Sequence, residues 1–403
     1  MTDIVIVGGG QAAGQAAASL RQKDFDGNIT IICNEPFFPY QRPPLSKQYL
    51  AGKVEREHLL VRQADFYESR NIAVQSGVTV TAINIGSKTV STDNAGSVRY
   101  DKLLLATGAR PRRLDVSGIS LQGIHYLRSI NDVDRIRAQM TNAKSLCVVG
   151  GGYIGLEVAA IAVAAGLRVT IVEAEDRVLQ RVATPELSAF YHELHVSHGV
   201  AIKVNATVTE FAGNDAVTEV RCGDEKIEAD LVIVGIGIVP NVELAETAGV
   251  ACDNGILVDE HCRTSESDIY AAGDCTNHPS PLLQRRLRLE SVPNALDQGK
   301  VAAGNMLGGE EIHDAVPWFW SDQYGLKLQM VGFSSDGETH VLRGDMRDKK
   351  FAVFHLNGER IVAVDAVNDP QSFIVGKRLF GKKVNAEVLE NPQTDIRTLI
   401  QQQ

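Results

Sequence analysis

The chain has 403 residues, 44% hydrophobic and 22% charged. That is ordinary globular usage with length for two or three domains, and it excludes disorder, collagen and long coiled coil. Forty basic residues against 50 acidic give a formal net charge of −10, which excludes a nucleic acid as main partner because phosphate contact needs a positive field.

Ile4-Val5-Ile6-Val7 is a β-branched run, expected to be a parallel strand buried on both faces. Nothing around it has the charged and apolar regions of a signal peptide. It leads into Gly8-Gly9-Gly10-Gln11-Ala12-Ala13-Gly14, an alanine-rich helix to Leu20, a turn at Asp26-Gly27-Asn28 and a second strand over 29–33, closed by Asn34-Glu35. Residues 103–105 form an apolar strand that ends in Ala106-Thr107-Gly108.

The opening pattern then returns. Leu146-Cys147-Val148-Val149 precedes Gly150-Gly151-Gly152-Tyr153-Ile154-Gly155, a helix through Ala165, a strand over 168–172, and Glu173. This stretch is the most apolar of the chain, but Glu157, Gly166 and Arg168 interrupt it, so it reads as helix and strand and no membrane span is expected. Residues 200–234 read as short strands with hairpin turns at 212–215 and 222–224. A further strand ends in Ala272-Gly273-Asp274. From about 318 the pattern changes to strands at 326–331, 340–343, 350–356 and 360–367, with helical segments at 370–379 and from 384. Six cysteines (33, 147, 222, 252, 262 and 275) include no C-x-x-C pair, which argues against zinc, an iron–sulfur cluster or a disulfide framework and favours a reducing cytoplasm.

Each repeated unit is strand, glycine turn, helix, strand, acid. The first glycine permits the turn, the second admits a pyrophosphate to the backbone, and the third lets helix and strand pack closely; in the first unit Ala13 fills this third place. Two bound dinucleotides are therefore expected, with electrons passing between them. Glu173 lies where a carboxylate accepts from both ribose hydroxyls and repels a 2′-phosphate, which favours NADH over NADPH. The first unit is then left for FAD, and Asp274 is placed to accept from the ribitol hydroxyls.

Several motifs are more specific: Pro39-Tyr40-Gln41-Arg42-Pro43-Pro44-Leu45-Ser46-Lys47, Ala106-Thr107-Gly108, Gly150 through Glu157, Gly235-Ile236-Gly237-Ile238-Val239-Pro240-Asn241, Ala272-Gly273-Asp274, Glu290-Ser291-Val292-Pro293-Asn294-Ala295 and Pro317-Trp318-Phe319-Trp320-Ser321-Asp322-Gln323. By these the chain, over nearly its whole length, resembles the FAD-dependent NADH:ferredoxin reductases of the putidaredoxin reductase and rhodocoxin reductase type. These serve bacterial cytochrome P450 systems and aromatic-ring dioxygenases. The resemblance implies an α/β chain of glutathione-reductase-like architecture. Two Rossmann-like, doubly wound domains are expected, FAD-binding at 1–110 and 243–317 and NAD-binding at 111–242, with a C-terminal α+β domain at 318–403. It implies FAD contacts at Gly8, Gly10, Ala12, Ala13, Asn34 or Glu35, Arg42, Lys47, Val80, Ala106, Thr107, Gly108, Arg128, Asp274, Val292 and Trp320. It implies NAD contacts at Gly150, Gly152, Tyr153, Ile154, Gly155, Glu173 and Gly237.

Lys47 is the candidate positive charge beside the flavin, stiffened by Pro43-Pro44, against the alternative of a solvated lysine. Glu157 either pairs with Lys47 or merely complements its helix dipole. Trp320 is either a buried ring or a wall of the flavin site. The stretch 41–50, where disulfide reductases of this build carry their redox cysteines, has none. The resemblance then implies single-electron release to an acidic [2Fe–2S] ferredoxin, feeding a P450 or Rieske oxygenase, from a monomer or weak homodimer. Arg285, Arg286 and Arg288 form the densest basic run and are the candidate docking patch, or else a solvated face. An NADH oxidase or peroxidase, a monodehydroascorbate-type reductase and an apoptosis-inducing-factor-like redox signal are the alternatives.

Overall fold

The structure, a computed structural model, describes residues 2–401. In chain order its main elements begin with β1 (Asp3–Val7), α1 (Gln11–Gln22), β2 (Asn28–Cys33), β3 (Ile72–Ser76) and β4 (Lys102–Leu105). Next come β5 (Ile124–Tyr126), β6 (Ser145–Val149), α2 (Tyr153–Ala164), β7 (Arg168–Val172), α3 (Pro185–Ser197), β8 (Ala201–Lys203) and β9 (Leu231–Val234). They continue with β10 (Ile269–Ala271), β11 (Thr276–Ser280), β12 (Arg285–Leu287) and α4 (Val292–Met306). The last are β13 (Trp318–Gln323), β14 (Leu326–Gly332), β15 (Thr339–Asp345), β16 (Lys350–Asn357), β17 (Arg360–Val367) and α5 (Pro370–Arg378).

Two compact units divide the chain. One holds the residues up to Arg42, Glu55–Arg110 and Ile238–Pro317; the other holds Pro43–Val54, Pro111–Gly237 and the residues from Trp318 on. Segment 43–54, grouped with the N-terminal region in the sequence, thus belongs to the second unit, as does the C-terminal region. Segment 41–50 forms no α-helix but a single 3-10 turn at Pro43–Ser46, because consecutive prolines remove donors and disfavour helix in the residue ahead of each.

In the first unit a parallel sheet runs β10-β4-β1-β2-β3. Ile4, Ile6, Ile29 and Ile31 are buried on it, as a strand covered on both faces requires. Ala12, Ala13, Ala16 and Ala17 of α1 are buried in the same cluster. Small residues there let α4 approach closely, since a Cβ on Gly299 would stand 2.8 Å from the Ala12 carbonyl oxygen.

The second unit repeats the arrangement, with parallel order β8-β7-β6-β9-β5. The first three strands of each repeat are adjacent in reverse order, and the fourth joins on the far side of the first, which is the doubly wound pattern. A three-stranded sheet over 210–228 carries the two expected hairpin turns. The C-terminal region of this unit is an antiparallel sheet, β13-β14-β17-β16-β15, with Phe351, Phe354, Val364 and Val367 buried in it.

Candidate functional site

In the first unit, β1 delivers the chain into a turn that only glycine can make. Gly8 has φ +131°, and a Cβ there would lie 2.1 Å from the Ala106 carbonyl oxygen. Gly10 borders open space instead, and no side chain caps α1 behind it. The first-turn N–H groups therefore remain available, which suits a pyrophosphate. The Ala12 and Ala13 side chains point into the core, so only their backbone can serve a ligand.

Of the two acidic-end candidates after β2, Asn34 is exposed, whereas Glu35 is engaged. Its carboxylate accepts from the Tyr40 hydroxyl at 2.5 Å and from Arg42 Nη2 at 2.6 Å. Burial works against the Arg42 charge, but Tyr40, Glu35 and Asp274 outweigh it and raise the guanidinium above its ordinary pKa. Asp274 is half-buried next to Gly273, whose N–H donates to the buried Gln298 Oε1 at 2.7 Å. The Ala106-Thr107-Gly108 turn is pinned to Asn241: Thr107 Oγ1 donates to its carbonyl at 2.7 Å and its Nδ2 donates back at 2.8 Å. Val80 is buried at the start of a short strand (Val80–Asn84), and Val292 opens α4 behind a Ser291 cap.

In the second unit Gly150 has φ +106°, with the Gly235 carbonyl oxygen 2.4 Å from a Cβ position, and Gly152 again faces open space without a cap. A Cβ on Gly155 would stand 2.2 Å from the Gly150 oxygen, so this position admits no larger residue. Tyr153 packs on Phe319 at 5.2 Å between ring centroids, and Ile154 is exposed. Glu173 Oε2 accepts from the Gly151 N–H at 2.6 Å and Oε1 from the Glu175 N–H at 3.0 Å, so its charge is held directly at the turn. Gly237 is exposed near Arg181, and Arg177 turns to Asp176 at 3.2 Å.

Within this unit Lys47 and Glu157 meet: Nζ donates to Oε2 at 2.7 Å, and Glu157 is only 2% exposed. Two serines that sequence reasoning passed over complete the carboxylate's shell. Ser46 Oγ donates to Oε2 at 2.5 Å and Ser321 Oγ to Oε1 at 2.6 Å. Both lie inside motifs already singled out, but no local pattern marks a serine as the partner of a distant acid. Trp320 is half-buried between Trp318 and Phe319, at 5.7 and 6.2 Å. Arg128 is half-buried beside the capping box formed by Ser129 and Asp132.

Two members of the basic run are engaged close to their own hairpin. Arg286 donates to the Val258 carbonyl at 2.8 Å, to Asn277 Oδ1 at 3.1 Å and to the Asn277 carbonyl. Arg288 is paired with Glu290 at 2.5 Å. Two of the three guanidiniums thus serve the β11–β12 hairpin and its surroundings, and Arg285, like Arg286, is exposed.

All six cysteines are free thiols. Burial pushes Cys33 and Cys252 up to about 11 and raises Cys147, Cys222, Cys262 and Cys275 as well. None is therefore a ready thiolate at neutral pH. No metal-binding cluster and no helix long and apolar enough to cross a membrane occur among the described residues.

Burial also pushes His195 and His313 down to about 4, so both are neutral in the folded protein. The unfolded chain binds these protons from about pH 6.5, so stability falls on acidification between roughly pH 6.5 and 4. The melting temperature should drop over that window, and less steeply in His313→Gln. Equal slopes for both proteins would overturn the assignment.

A family model described as pyridine nucleotide-disulphide oxidoreductase matches residues 2–299, and one described as reductase C-terminal matches residues 318–400. Rhodocoxin reductase of Rhodococcus erythropolis is 41% identical over 97% of this chain and 92% of its own length. Putidaredoxin reductase CamA of Pseudomonas putida is 43% identical over 96% and 93%. The solved covalent putidaredoxin reductase–putidaredoxin complex superposes with a TM-score of 0.96 at 41% identity, covering 100% of this chain and 98% of that one. With the doubled glycine turns and both parallel sheets in place, the chain belongs to the pyridine nucleotide-disulphide oxidoreductase family.

Proposed function

We propose that the chain is an NADH-dependent ferredoxin reductase: it takes a hydride from NADH onto FAD and passes electrons singly to a [2Fe–2S] ferredoxin that supplies a cytochrome P450 or ring-hydroxylating oxygenase. The observation that carries this reading is the presence of two open, uncapped glycine turns in one chain whose six thiols are all pushed away from the thiolate form. Bound FAD supplies the conversion between two-electron and one-electron transfer. The residues fit that group: the Gly8–Gly10 turn for its pyrophosphate, the Glu35–Arg42 pair and Asp274 for its polar parts. Gly150, Gly152 and Gly155 would hold NADH, with Glu173 repelling a 2′-phosphate. Lys47 supplies a positive charge held in place by Glu157, and Trp320 an aromatic wall. A reducing cytoplasm suits the six unpaired cysteines.

The test is NADH oxidation by the FAD-loaded protein with cytochrome c as reporter, with and without a [2Fe–2S] ferredoxin, and with NADPH in parallel. Cytochrome c reduction is expected to depend strongly on the ferredoxin. Rapid NADH consumption indifferent to it would overturn the reading.

Docking of an acidic ferredoxin is assigned to the basic run Arg285, Arg286 and Arg288, of which Arg285 and Arg286 are exposed. Arg285→Glu should raise the KM for ferredoxin and weaken its salt dependence. Arg286→Ala should instead lower stability by about 2 kcal/mol, because two backbone carbonyls lose their donor. Equal ferredoxin kinetics in Arg285→Glu and wild type would remove the docking role.

A further inference from the structure

The carboxylate of Glu157 is one end of a longer hydrogen-bonded chain within the second unit. Ser321 commits its proton to Glu157 Oε1 at 2.6 Å, because a carboxylate only accepts. The Ser321 oxygen must then receive, and Gln323 Nε2 donates to it at 3.1 Å. With its amide nitrogen turned that way, Gln323 presents Oε1 to His195 Nε2 at 2.9 Å, so this ring nitrogen carries the hydrogen. His195 is buried and neutral, which leaves Nδ1 bare to accept from the Tyr324 hydroxyl at 3.1 Å. A single polarity satisfies all five groups, and every hydrogen points toward Glu157. An amide in the path does not hand a proton on, so the chain orients groups and does not conduct.

The outer end shows an independent sign of constraint. Tyr324 and Gly325 form the two-residue turn between β13 and β14, with φ +50° and +78°. Such turns favour Asn-Gly, and a tyrosine in the left-handed region is uncommon. Here the ring stacks on His198 at 3.8 Å with an interplanar angle of 15° while the hydroxyl holds His195. Both ends of the side chain are used where turn chemistry alone would select a smaller residue.

We propose that Tyr324, His195, Gln323 and Ser321 are positioning residues that hold the Glu157 carboxylate against Lys47. The C-terminal sheet thereby helps fix the Lys47–Glu157 pair within the second unit through hydrogen bonds that originate on β13 and its turn. This rests on the reading of Lys47–Glu157 as the charged pair of the flavin site.

The test compares FAD-loaded wild type, S321A, S321T, Q323M and E157Q. Flavin reduction by NADH is followed by rapid mixing across NADH concentrations, and the histidine side chains are followed by nitrogen NMR. S321A and Q323M should each lower the limiting rate about tenfold while the NADH dissociation constant stays within about twofold. S321T, which keeps the hydroxyl, should restore most of the rate. Wild-type His195 should show the neutral Nε2–H form, with the Nε2 resonance displaced in S321A. S321A at the wild-type rate while E157Q is slow, or His195 carrying its hydrogen on Nδ1, would overturn this inference alone. E157Q at the wild-type rate would overturn the role of the ion pair and the inference with it.

Discussion

Lys47→Met should slow flavin reduction by NADH about a hundredfold and lower the stability of the FAD-loaded protein by about 3 kcal/mol. The stability effect follows from the geometry. Glu157 is almost fully buried and, among the described residues, has one cation within reach, at 2.7 Å. Without Lys47 only the hydroxyls of Ser46 and Ser321 remain to the carboxylate, and two neutral donors do not replace a desolvated ion pair. The kinetic effect follows from the proposed place of the ammonium beside the flavin, where a positive charge favours the reduced state. Rapid mixing at 450 nm with varied NADH separates the limiting rate from binding, and calorimetry supplies the stability. A variant that melts lower but reduces flavin at the wild-type rate would leave the pair structural and remove its chemical role.

Glu173→Arg should invert the nucleotide preference, lowering kcat/KM for NADH and raising it for NADPH. The ratio should move by roughly a hundredfold or more. The carboxylate stands on the Gly151 N–H at the end of β7, so a 2′-phosphate in this turn would meet a fixed negative charge. Arg177 already faces Asp176 and does not offset that charge. Replacing the acid removes the repulsion and supplies a bidentate donor for phosphate. Parallel initial-rate measurements with both nucleotides check this, and an unchanged ratio would show that Glu173 serves the turn and not the ribose.

Periodic and turn-level features were legible from residues alone because they are local. A β-branched run ending in glycines specifies a buried parallel strand and a tight turn wherever it stands, and the chain contains that pattern twice. The strands expected at 326–331, 340–343, 350–356 and 360–367 likewise form, whereas the strand at Trp318–Gln323 and the antiparallel pairing were not read from the sequence. Pro43-Pro44 was legible as a stiff segment, but the short 3-10 turn it forms and its place in the second unit were not. Arg286 and Arg288 show the opposite case. A basic run reads as a surface patch, yet the Val258 and Asn277 carbonyls hold Arg286 and the Glu290 carboxylate pairs with Arg288.

By itself the sequence determined the two glycine turns, the strands and helices around them, and the lack of any cysteine in 41–50. Each of these depends on residues close together in the chain. The tertiary structure alone decided which polar groups share the buried space. Ser46 and Ser321 reach Glu157 from 111 and 164 residues away. Gln323 reaches His195 across 128. Such pairings follow from the cost of leaving a buried donor or acceptor unsatisfied once the strands have packed, and that cost leaves no periodic mark in the chain.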